Sequence, residues 1–118
     1  MLRIGRQAMI RRVLLAAWLL SCADAIADTE PEYTIRIVHH RFEPAELHIP
    51  AGTKVRIVLD NQDETADEFD SHSLNREKHV PAKSQVTIFI GPLARGRYVY
   101  EGESEAEGGP ALGVIVVD

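Results

Sequence analysis

The chain has 118 residues, one cysteine, 45% hydrophobic residues and a formal net charge of −5 with histidine neutral. That length suits one small domain, and a negative field of this kind repels nucleic acid and anionic lipid while attracting cations or a basic partner. A lone cysteine excludes an internal disulfide, so stability must come from packing.

The N-terminal segment reads as a targeting signal. Arg3, Arg6, Arg11 and Arg12 form a basic region, residues 13–20 are apolar throughout, and Ala25-Ile26-Ala27 has the small-x-small form of a signal peptidase site. The apolar run is too short to span a bilayer. The expected division is a signal peptide, 1–27, and one exported domain, 28–118, in the periplasm. A rival reading makes Cys22, after Leu19-Leu20-Ser21, a lipidated first residue; only then would the domain touch a membrane. Cleavage after Ala27 removes four arginines and one acid, leaving a charge of about −8 and no cysteine, methionine or tryptophan.

Residues 33–38 alternate apolar with polar side chains, the period of a half-buried strand. His39-His40-Arg41-Phe42 follows, and Pro44 breaks the run. Residues 47–49 are a short extended piece ending at Pro50-Ala51-Gly52-Thr53, a turn by its Pro and Gly. Val55, Ile57 and Leu59 alternate on one face of the next strand. An acidic stretch, 60–78, then carries seven carboxylates. At most one helical turn fits in it, at 66–69. After a turn at 80–83, residues 85–90 and 97–100 read as strands separated by a Gly91-Pro92 turn. A second acidic stretch, 101–107, precedes a closing strand at 113–117. Six or seven short strands with Pro/Gly turns, and no helical periodicity, make an all-β chain with the architecture of an antiparallel β-sandwich.

Several phrases then line up in order. Phe42-Glu43-Pro44, Ile49-Pro50-Ala51-Gly52-Thr53, Asn61, Glu68-Phe69, the Pro81-Ala82-Lys83 turn, Gly96-Arg97-Tyr98 and Gly113-Val114-Ile115-Val116-Val117 together resemble a cupredoxin domain. Glu68-Phe69-Asp70-Ser71, Leu74, Arg76-Glu77-Lys78 and Gly91-Pro92-Leu93 resemble its EfeO-type branch. More closely, the chain is similar to the small periplasmic cupredoxin components (FtrB-like) of bacterial ferrous-iron uptake systems. The resemblance implies a cupredoxin-like Greek-key β-sandwich with a metal site at one end, holding an iron or copper ion. It also implies work beside a periplasmic iron-binding protein and an inner-membrane iron permease, in Fe(II) oxidation or metal hand-off.

A blue-copper site needs two imidazoles and a thiolate, usually with a weak thioether. Neither sulfur ligand occurs after residue 27. The resemblance puts Glu68 at the first histidine's place, and Glu103 and Glu105 in the loop before the last strand. Oxygen donors suit Fe(III), Mn(II), Mg(II) or Ca(II) better than Cu(I). Candidate metal ligands are therefore Glu68, Glu103, Glu105, Asp70 and Glu77, with His40 or His72 as imidazole donor. Each has a plainer reading. Glu68 could be a solvated acid beside a core aromatic, Asp70 a loop-holding side chain, and Glu77 a partner of Arg76 and Lys78. His39 and His40, as strand neighbours, would point to opposite faces. No nucleophile motif or phosphate loop is present, so an accessory metal-binding protein is expected over a stand-alone enzyme. Two alternatives stay open: a metal-free sandwich docking on a basic envelope partner, and a Cu(II) storage or delivery protein with converging histidines.

Overall fold

The computed structural model describes residues 30–103 and 108–118; the expected signal peptide, Cys22 and Glu105 lie outside them. Nine strands form there: β1 (Glu32–Val38), β2 (Arg41–Glu43), β3 (Glu46–Ile49), β4 (Val55–Asn61), β5 (Asp67–Ser71), β6 (Arg76–Val80), β7 (Gln85–Ile90), β8 (Gly96–Glu101) and β9 (Leu112–Val117). They make two sheets, ordered β2-β1-β4-β7 and β3-β9-β8-β5-β6. The chain is an all-β sandwich, as the alternation of apolar residues requires. In β4, Val55, Ile57 and Leu59 are fully buried while their neighbours are half-exposed. Each such side chain contributes about 1.5–3 kcal/mol through its removal from water.

Two pairings depart from an antiparallel sandwich. β1 runs parallel to β4, and β3 runs parallel to β9. Both arise because the chain passes from the first sheet to the second between β2 and β3 and returns for β4. Alternation within a strand cannot report that crossing.

The acidic stretch at 60–78 is largely strand. It contains β5, a turn and β6, which raises the strand count above the six or seven expected. Where the pattern leaves room for at most one helical turn, at 66–69, residues 67–69 are strand. Phe69 decides it: its ring is fully buried, Asp67 and Ser71 share its inward side, and Glu68 and Asp70 turn outward. Burial of one aromatic overrides the poor strand preference of aspartate and glutamate. The outer strand β6 exposes Arg76, Glu77, Lys78 and His79, a charged edge that resists pairing with another chain.

His39 and His40 are not strand neighbours. They form the β1–β2 turn with φ of 52° and 60°, a left-handed conformation uncommon outside glycine. Asp63 holds it. Its Oδ1 accepts the His39 N–H at 2.8 Å and its Oδ2 accepts the His40 N–H at 2.9 Å.

The core closes around three rings. Tyr100 stacks on Phe69 at 4.5 Å between centroids and meets Phe42 edge-on at 4.8 Å. Tyr100 lies across its cross-strand partner Gly113, where any side chain would overlap the ring. Among the described residues no helix is long and apolar enough to cross a membrane.

Candidate functional site

β5 and β6 run antiparallel, with Glu68 opposite His79 and Asp70 opposite Glu77. Asp70 is also opposite Glu101 of β8. Paired residues share a face, so Glu68, Asp70, Glu77, His79 and Glu101 all lie on the outer face of the five-stranded sheet. Glu103 follows just past the end of β8, where its N–H donates to Asp67 Oδ1 at 2.9 Å.

Crowding registers on Glu68. Its carboxyl is pushed up to about 7, first by a hydrogen bond with Glu77, then by partial loss of water. Repulsion from Glu77 and Glu103 and a hydrogen bond with Glu103 push the same way. A carboxyl crowded by like charges resists ionisation, and a proton or a cation relieves it.

A pH signature follows. Between the ordinary value of 4.5 and about 7, folded Glu68 holds a proton that the unfolded chain has lost. Stability therefore falls as pH rises through that window, and the penalty is complete above it. Glu68→Gln is expected to melt above wild type at pH 8 and level with it at pH 4. The gain is at most ~1 kcal/mol, because the group stays near solvent. Calorimetric melting at both pH values reads it, and an equal shift at both would overturn the crowding.

The inner side of β5 presents a different carboxylate. Asp67 is 2% exposed. Its Oδ1 accepts the Glu68 N–H at 2.8 Å as well as that of Glu103, and its Oδ2 has no hydrogen-bond partner among the described residues. At the same end, Asn61 gathers the loop. Its amide donates to the carbonyls of Thr65, Val80 and Pro81, and its Oδ1 accepts the Asp63 N–H. His40 Nδ1 lies 3.7 Å from Asp63 Oδ2, too long for a hydrogen bond. A depression of about 390 Å³ opens beside His39, His40, Asp63 and Lys83. A larger one, about 570 Å³, lies against β8 and is lined by Asp70, His72, Arg97 and Val99.

The residues expected as ligands thus divide. Glu68, Glu77 and Glu103 come together, with Asp70 on the same face one pair further along. His40 and His72 do not join them as a pair. His40 sits by the loop preceding β5 and His72 follows β5, so the strand's length, about 16 Å at 3.3 Å per residue, parts them. Among the described residues no three His, Cys, Asp or Glu side chains already close around one point as a metal cage. The acids crowd, and an ion would have to draw them inward. Glu77 is not held by an Arg76 ion pair; Arg76 donates to the Phe89 carbonyl at 2.6 Å instead. Sequence reasoning passed over Asp67, although a signal existed. If Phe69 packs inward, its i−2 neighbour does too, and Glu68 must face out.

The sequence matches the family described as Cupredoxin-like domain over residues 11–117. The chain belongs to the cupredoxin-like domain family. A relative in Rickettsia prowazekii (strain Madrid E), Uncharacterized protein RP394, is 36% identical over 95 residues, 80% of this chain and 74% of the relative. Two solved cupredoxin-like neighbours are similar in fold. Auracyanin A, a blue copper protein from Chloroflexus aurantiacus, has a TM-score of 0.64 at 15% identity, covering 76% of this chain and all 100% of its own. The metal binding domain of the Streptococcus pneumoniae D39 Cu(I)-exporting ATPase CopA has a TM-score of 0.63 at 12% identity, covering 80% and 91%.

Copper of the blue type does not fit this cupredoxin-like domain. The described residues contain neither cysteine nor methionine. Among the described residues the buried side-chain atoms without a hydrogen-bond partner are Asp67 Oδ2, His40 Nδ1 and the Tyr100 hydroxyl, a set with one imidazole, two oxygens and no sulfur. No electron-transfer step through a thiolate-bound copper follows from these side chains.

Proposed function

We propose that this cupredoxin-like domain binds a hard cation through Glu68, Glu77 and Glu103 and serves iron acquisition in the periplasm, as an EfeO-type, FtrB-like component. The observation that carries the reading is the crowding of Glu68 by Glu77 and Glu103, which keeps a proton on Glu68 up to about pH 7. A cation that prefers oxygen displaces the proton and removes the repulsion together. Carboxylate donors favour the harder ferric ion over softer ones. The cluster lies on an open sheet face, so a bound ion is reachable by a partner, which suits hand-off to an iron-binding protein or permease. Export by residues 1–27 would put the domain where that hand-off occurs.

A second reading has its own support. Val99 and Leu112 are 53% and 63% exposed, and Leu112 is opposite Glu101 on the same outer face. An acidic face with two exposed apolar side chains suits a metal-free module docking on a basic envelope partner. Copper storage has less, since it needs the histidines to converge.

Isothermal calorimetry with Mn(II), Fe(III) and Cu(II) on wild type, Glu68→Ala and Glu103→Ala separates these. Mn(II) and Fe(III) should bind wild type most tightly above pH 7, where Glu68 is already ionised, and below it should release a proton on binding and weaken roughly tenfold per pH unit. Both variants should bind more weakly. Flat heats for all three ions would leave the docking reading in possession.

A further inference from the structure

We propose that Asp67 is the positioning residue of the acidic cluster: a buried acceptor whose Oδ1 pins the backbone of Glu103 against that of Glu68. The inference rests on the cation reading above and names what assembles its site.

The need for a tether is plain from the sheet. Regular pairing between β5 and β8 is confined to Asp70 opposite Glu101, and β8 ends there. Strand hydrogen bonds therefore do not carry Glu103 to Glu68. Two contacts do. The Gly102 N–H donates to the Ala111 carbonyl at 2.9 Å, and the Glu103 N–H donates to Asp67 Oδ1 at 2.9 Å. The same oxygen takes the Glu68 N–H at 2.8 Å. A single buried atom thus bridges two residues that lie thirty-five positions apart in the chain. Such bonds to a carboxylate are shorter and stronger than those between neutral groups.

Gly102 makes the approach possible. A Cβ at that position would lie 2.9 Å from Asp67 Oδ1, so even alanine forces the carboxylate off its perch. The arrangement also has a cost that packing does not explain. Asp67 Oδ2 is buried with no partner among the described residues, and an unsatisfied buried oxygen is destabilising. Holding Glu103 in place gives that cost a purpose.

The test uses amide exchange by NMR and Mn(II) binding. In wild type the Glu103 amide should exchange as slowly as the amides of β8, although it lies beyond the strand. Exchange at the rate of an open loop would overturn the tether without any substitution. Asp67→Ala and Gly102→Ala should both release that amide and weaken Mn(II) binding by about 10- to 100-fold. Asp67→Asn keeps an Oδ1 acceptor and should bind close to wild type. If Asp67→Ala does not fold, Gly102→Ala carries the same comparison with the carboxylate retained. A released Glu103 amide with undiminished Mn(II) binding would sink the positioning role while leaving the cation reading intact. Absence of Mn(II) and Fe(III) binding in wild type would instead sink the cation reading, and the Glu103 amide would then decide the tether alone.

Discussion

Alanine in place of Phe69 is expected to lower the free energy of unfolding by about 3–5 kcal/mol. The ring is wholly buried and stacked on Tyr100, which in turn meets Phe42. Its removal takes contacts from the largest buried side chain and leaves a cavity between two sheets that cannot collapse independently. Small domains are stable by only about 5–15 kcal/mol, so about a fifth of the total or more is at stake. The effect should reach the outer face as well, because Phe69 is the buried ring at the centre of the strand segment that aims Glu68 and Asp70 outward. Urea denaturation followed by tyrosine near-UV circular dichroism reads both losses. Val99→Ala, at a half-exposed position of β8, is the matched control and should change stability by under ~0.5 kcal/mol. Equal losses at the two positions would mean that Phe69 does not organise the core.

Asn61→Asp is expected to be nearly as damaging, about 3 kcal/mol or more at neutral pH, for an electrostatic reason. The Asn61 amide faces three carbonyl oxygens at 2.9–3.2 Å, those of Thr65, Val80 and Pro81. A carboxylate there supplies no donor, strands three acceptors and places a buried charge against their negative ends. The loop that presents Asp63 would loosen, and with it the His39–His40 turn that Asp63 holds. The sign with pH is set by the same physics. Burial among carbonyls raises the pKa of the new acid in the folded state above its unfolded value. Destabilisation should therefore shrink as pH falls and the acid regains a proton that it can donate. Chemical denaturation at pH 7 and pH 4 checks this, and a loss that does not depend on pH would assign the damage to shape alone.

Much of this architecture was legible before any coordinates. Alternation in Val55-Arg56-Ile57-Val58-Leu59, the Pro/Gly turns and the absence of helical spacing made an all-β sandwich the reading that satisfied every segment. The oxygen-rich, sulfur-free inventory of side chains likewise excluded a blue-copper centre whatever the fold. Those conclusions needed only local period and composition, which are properties of neighbours in the chain.

What the tertiary structure decided was everything that depends on distant partners. Parallel pairing of β1 with β4 and of β3 with β9 leaves no mark on alternation, since parallel and antiparallel neighbours bury the same face. Glu68, Glu77 and Glu103 share a patch only because a hairpin and a buried aspartate bring their strands together. The acidic run 60–78, poor in strand-forming residues, holds β5 and most of β6 because burying Phe69 outweighs the weak strand preference of its neighbours. Asp67 went inward for the same reason. A strand that commits one ring to the core carries every second residue with it, charge included.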